Sequence, residues 1–94
     1  MKKFIYKVIF ERQILIKDTD RCPYWSDDVI TTEFFATKID AVRFAQKRFA
    51  KIFFNDYIRC WYIQVTRYEL TRKGTRHHQR VYSKYKANNT NTIY

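Results

Sequence analysis
A chain of 94 residues that is 46% hydrophobic and 19% aromatic can build one core, which excludes both a second domain and global disorder. Its 19 Lys and Arg against 9 Asp and Glu leave a formal net charge of +10. That charge predicts attraction to polyanions: nucleic acid first, an anionic membrane second, an acidic protein surface third. The plain alternative is a basic protein whose charge only confers solubility.

Met1-Lys2-Lys3 leads straight into a strand-like run broken by Lys7, Glu11 and Arg12, so no signal peptide is expected. No stretch has the length of a membrane span. Two cysteines, Cys22 and Cys60, fit an intracellular protein with free thiols. From residue 3 to about residue 17, KFIYKVIFERQILIK reads as a strand. Phe4, Tyr6, Val8 and Phe10 share one side, while Ile5, Lys7, Ile9 and Glu11 take the other. Ile14-Leu15-Ile16 is apolar on both faces, so the strand bends or is covered twice there. Residues 18–28, DTDRCPYWSDD, read as a loop around the only proline. VITTEFFA, residues 29–36, reads as a second strand, antiparallel to the first.

Residues 37–54, TKIDAVRFAQKRFAKIFF, predict a helix. Ile39, Val42, Ala45, Phe49, Ile52 and Phe53 recur on an apolar face, with Thr37 as its cap and Asp40 in the first turn. Residues 57–71, YIRCWYIQVTRYELT, predict a third strand with Trp61, Ile63 and Val65 on one side and Tyr62, Gln64, Thr66 and Tyr68 on the other. Residues 72–75 form a turn around Gly74. RHHQRVYSKYK, residues 76–86, is polar enough for an edge strand. Residues 87–94 read as a polar tail outside a single domain of residues 1–86. The predicted fold is α+β: β-β-α-β-β, one helix packed on one face of an antiparallel sheet. Tyr62, Gln64, Thr66, Tyr68 and Tyr82 are expected half-exposed on the face that the helix leaves open.

Two basic constellations are candidate binding surfaces. On the helix, Arg43, Lys47, Arg48 and Lys51 recur opposite the apolar stripe, with Phe44 exposed among them. Only Asp40 offsets them within the helix, so they can follow phosphates while an aromatic stacks on a base; the alternative is an ordinary solvated face. In the hairpin, Arg67, Arg72, Lys73, Arg76, Arg80, Lys84 and Lys86 interleave with Tyr68, Tyr82 and Tyr85. Arginine forks suit phosphate, although positive charge also protects an edge strand from aggregation. Tyr24-Trp25, in the predicted loop, is either an interface anchor or a plug for the end of the core.

Catalysis and metal binding find little support. His77 and His78 are adjacent, so in a strand they point to opposite faces, and Cys22 and Cys60 lack the close pairing of a zinc site. Asp18, Asp20, Asp27 and Asp28 have no His or Lys at a recognisable spacing for phosphoryl chemistry, and turn formation accounts for them. Nucleotide-binding loops and nucleophile motifs are absent, and a single glycine rules out a glycine-rich phosphate cradle. No metal, cofactor or enzymatic activity is expected.

The strand pair, the capped helix Thr37-Lys-Ile-Asp40-Ala-Val-Arg-Phe44-Ala45 and the basic hairpin together resemble small bacteriophage accessory proteins, among them ββαββ anti-CRISPR inhibitors. The resemblance covers residues 3–86 by topology and transfers no residue roles. It implies a non-enzymatic inhibitor in the cytoplasm of a bacterial host, engaging a nucleoprotein complex or its nucleic acid. Many such inhibitors mimic DNA with acidic surfaces; this chain has the opposite sign. The alternatives are a stand-alone DNA- or RNA-binding regulator and a purely structural interaction protein.

Overall fold
In the computed structural model, residues 2–17 and 20–88 are described. The elements run β1 (Lys3–Ile16), β2 (Tyr24–Phe35), α1 (Lys38–Phe49), β3 (Ile58–Thr71) and β4 (Gly74–Ala87). The four strands form one antiparallel sheet in the order β2-β1-β3-β4, and α1 packs across one face. β1 and β3 are central, and β4 is an edge, as its polarity predicted. No helix among the described residues is long and apolar enough to cross a membrane.

The core lies between α1 and the two central strands. Val8, Ile63 and Val65 are fully buried, joined by Tyr6, Phe10, Ile58 and Trp61 from the same sheet face. Alternation dictates this set, because every second residue of a strand shares a face, except at Ile58, which a register shift at Gln13/Ile14 brings to the same side. Phe10 stacks on Trp61 with ring centroids 5.1 Å apart, and the Trp61 indole N–H donates to the Phe53 carbonyl at 2.7 Å.

Several boundaries differ from expectation, each for a physical reason. β2 begins at Tyr24, not Val29. The apolar run Ile14–Ile16 on β1 pairs with residues 24–26, and the intervening Asp27 and Asp28 are tolerated because Gln13 Nε2 donates to Asp27 (3.1 Å) and Arg12 Nε to Asp28 (2.9 Å). Tyr24 and Trp25 therefore sit in a strand and not in a loop. A bulge shifts the β1–β2 register at Phe10/Glu11. Ala87 belongs to β4, where it pairs with Cys60. The Asn88 N–H donates to the Arg59 carbonyl at 2.8 Å, so the paired structure runs past residue 86. The rest of the expected tail lies outside the described residues.

The helix starts as predicted, the Thr37 hydroxyl accepting from the Asp40 N–H at 3.3 Å. It stops at Phe49, five residues early. Lys51 and Ile52 then bond back to Arg48 and Phe49 in a tight last turn. Leaving the helix there lets Ile52 and Phe54 pack against the core and brings the Phe53 carbonyl to Trp61. The buried face is also rotated from the predicted one. Ala41, Ala45 and Phe49 are buried, Phe44 and Arg48 are half-buried, and Ile39 and Phe53 are exposed. Alanines at 41 and 45 bring the helix backbone close to the sheet, consistent with a molecule only 17 Å thick in its shortest dimension. Gly74 opens β4 with φ +125°, a conformation that costs a side chain dearly.

Candidate nucleic-acid interface
Strand alternation sorts the cations by face. Arg12, Arg67, Arg76, Lys84 and Lys86 occupy positions on the helix-bearing side, where α1 adds Arg43, Lys47 and Arg48. Asp28, Glu33 and Glu69 are the carboxylates at strand positions of that side. The opposite face carries Lys3, Lys7 and Arg80, with Arg59 over Trp25, against Glu11 and Asp27. The excess charge of the described strands and helix therefore lies on the helix side.

Within the helix constellation, Arg43, Lys47 and Lys51 are exposed. None of the three forms an ion pair among the described residues. The other two members are corrected. Phe44 is no exposed stacking platform: its ring meets Phe35 at 5.1 Å and it packs on the core, because position 44 lies beside Ala41 and Ala45 on the helix. Arg48 is half-buried, its guanidinium 5.6 Å from the Phe10 ring centre and 5.9 Å from that of Phe44. Its Nε has no hydrogen-bond partner among the described residues. Arg48 thus covers the core edge, its guanidinium laid against the Phe10 and Phe44 rings.

The hairpin constellation is divided by the sheet. Arg67 and Arg76 lie on the helix side and are already engaged. Arg67 donates from Nε and Nη2 to His78 Nδ1 (3.0 and 2.9 Å) and stacks on Phe4 at 4.7 Å. Arg76 and Lys2 flank the buried Glu69 carboxylate at 3.1 and 3.8 Å. Arg72 and Lys73 project from the turn, exposed. Arg80 and Tyr68 sit on the other face, where Arg80 donates to the Tyr62 hydroxyl at 3.3 Å and Lys7 lies 5.9 Å from the Tyr68 ring centre. Tyr82, expected on that open face, pairs with Val65 and packs against the core on the helix side. The two register shifts in the β3–β4 pair, at Val65/Thr66 and Arg67/Tyr68, separate Arg80 from Arg76 and Lys84 although all three have the same parity.

Lys84 and Lys86 join the helix surface. With Gln46, Phe49, Ala50 and Ile52 they line a groove of about 510 Å³ between β4 and the end of α1. The Lys84 ammonium sits 5.4 Å from the Phe49 ring centre. Gln46 and Ala50 lie one step round the helix from Lys47 and Lys51, so the groove has cations along β4 and along the adjacent ridge of the helix. Gln46 and Ala50 escaped the sequence reading; a helical wheel centred on Ala41–Ala45, not on Ile39, would have placed them at the β4 flank. Tyr24, exposed on the helix side at the far edge, and Trp25, half-buried on the open face under Arg59 (5.5 Å), do not join this surface.

His77 and His78 face opposite sides, meeting Tyr68 and Phe4 respectively. No group of three or more His, Cys, Asp or Glu able to hold a metal occurs among the described residues. On the open face the Tyr85 hydroxyl is held above its ordinary value, chiefly by charge repulsion from the neighbouring Cys60 sulfur. Burial and a hydrogen bond with Cys60 add to this, and Arg59 opposes it. Comparison with known protein families, curated proteins and solved structures finds no match to this chain.

Proposed function
We propose that this is a non-enzymatic binding protein that engages the phosphate backbone of a nucleic acid, free or within a host nucleoprotein, through its helix side. The observation that carries the proposal is one-signed exposure: Arg43, Lys47 and Lys51 on or just after the helix, and Lys84 and Lys86 beside the groove, have no acidic partner among the described residues. A surface of unpaired cations releases counterions when it meets phosphate, which supplies affinity without sequence readout. The groove walls present ammonium groups above an apolar floor, fit for a sugar–phosphate chain lying along β4. The topological resemblance to phage accessory proteins supports a biological setting: an inhibitor of the anti-CRISPR type, in the cytoplasm of a bacterial host, acting on a nucleoprotein complex by contacting its nucleic acid. The second reading, a regulator that binds DNA or RNA alone, uses the same surface.

Affinity capture from host lysate, with and without nuclease, separates them. Co-purification of a defined nucleoprotein that survives nuclease supports the inhibitor. Recovery of nucleic acid alone, abolished by nuclease, supports the stand-alone binder. Recovery of neither contradicts both.

A further inference from the structure
One face of the sheet is covered by nothing in the described chain, although it carries many apolar and aromatic groups. Ile5, Ile9, Leu15, Tyr62 and Tyr68 are half-buried there, and Val29, Phe34, Leu70 and Tyr85 are exposed at 56, 55, 44 and 61%. Its excess charge is smaller than the helix side's, Lys3, Lys7, Arg80 and Arg59 standing against Glu11 and Asp27. Lys7 and Arg80 are moreover already laid against Tyr68 and the Tyr62 hydroxyl. A molecule of net charge +10 approaches a second copy more readily on this face than on the helix side, which would meet its own larger excess charge.

The face is also the right size. Strands of about 14 residues at ~3.3 Å each and four strands at ~4.8 Å spacing give roughly 900 Å² per copy, against about 800 Å² per partner in a standard stable interface.

Its central part is self-complementary. Three successive rows cross the sheet. The first is Val29, Glu11, Tyr62 and Tyr85. The middle row runs Thr32, Ile9, Gln64 and Ser83; the third is Phe34, Lys7, Thr66 and Arg80. A two-fold axis running across the strands along the middle row keeps each strand over its own copy and exchanges the outer rows. Val29 then meets the second copy's Phe34, and Glu11 meets its Lys7. The Tyr85 ring meets the Arg80 guanidinium, while Tyr62 lies over Thr66, which at 2% exposure adds no contact of its own. The other three pairs are of matching chemistry: apolar with apolar, acid with base, aromatic with cation.

We propose that this open face is the interface of a symmetric homodimer, two sheets packed face to face about a two-fold axis at the Ile9–Gln64 row. Both helices then point outward, and the particle carries a cationic surface on each side. The proposal is independent of the nucleic-acid reading, which concerns the other face.

The test is the mass of the nuclease-treated full chain by light scattering and sedimentation over a wide concentration range, in about 0.5 M NaCl to strip nucleic acid. The expected mass rises to twice 11.7 kDa. Lys7→Glu and Glu11→Lys each weaken the dimer about 10-fold or more, and the double swap restores it to within ~3-fold of the wild type. Tyr85→Lys, at an exposed position that folding tolerates, also weakens it, with circular dichroism reporting an unchanged fold. A monomer at every concentration overturns the proposal. So does a dimer indifferent to Tyr85→Lys and to the swaps, which has its interface elsewhere. A monomer whose affinity for a labelled oligonucleotide falls with Tyr85→Lys overturns it too, with nucleic acid as the occupant of the face.

Discussion

Reversing Arg43, Lys47, Lys84 and Lys86 to Glu together lowers affinity for a labelled DNA by roughly 100-fold or more at about 0.1 M salt. The variant keeps its far-ultraviolet spectrum and melting temperature to within a few degrees. The four side chains lie on the outer ridge of α1 and beside the groove it forms with β4, and none is in an ion pair among the described residues. Removing them breaks no internal contact beyond the stacking of Lys84 on Phe49. The control is Arg67→Glu with Arg76→Glu, which makes the same change of charge per residue at two residues held by His78 and Glu69. If charge alone mattered, each reversal there would cost as much affinity as each reversal at the groove. If the groove is the contact, the control loses markedly less per residue. Fluorescence anisotropy against duplex and single-stranded probes measures both.

Trp61→Ala lowers stability by about 3–5 kcal/mol, a large part of the roughly 5–15 kcal/mol that holds a small domain folded. Trp61 is 4% exposed. It stacks on Phe10, carries the Arg12 guanidinium at 5.5 Å and donates to the Phe53 carbonyl. That bond pins the segment after α1 to β3, so truncation opens a cavity and also frees the end of the helix. Trp61→Phe keeps most of the volume and drops the donor, and it costs about 1–3 kcal/mol. Thermal melting reports the first as a loss of some 15–30 °C. A drop under ~1 kcal/mol for Trp61→Ala would contradict the packing described.

The parts legible in the sequence are those where one face of a strand is buried. β1 and β3 are central, so their apolar residues must alternate, and Phe4, Tyr6, Val8, Phe10, Trp61, Ile63 and Val65 show it plainly. The cap at Thr37 was legible because its chemistry is local. The start of β2 was not, because Ser26-Asp27-Asp28 has turn composition and becomes strand only through Gln13 and Arg12 on the neighbouring strand. The phase of α1 was misjudged because apolar residues at 39 and 53 stay exposed, while Arg48 lends its stem to the core and Phe44 turns inward to Phe35. The basic hairpin read as one patch because bulges have no signature in composition. Two of them send Arg80 to one face and keep Arg76, Tyr82 and Lys84 on the other. The tyrosines of the open face are legible in the sequence, but its row-by-row complementarity exists only once the register is known.

The central claim is that cations on the helix side bind phosphate, and the salt dependence of binding by the wild-type chain tests it most directly. If Arg43, Lys47, Lys84 and Lys86 each neutralise a phosphate, the logarithm of the binding constant falls linearly with the logarithm of salt concentration. These four contribute a slope of about −3 to −4, and the four-fold reversal removes that share, leaving at most the contribution of Lys51. A wild-type slope near zero, or one that the reversal leaves unchanged, would contradict the account.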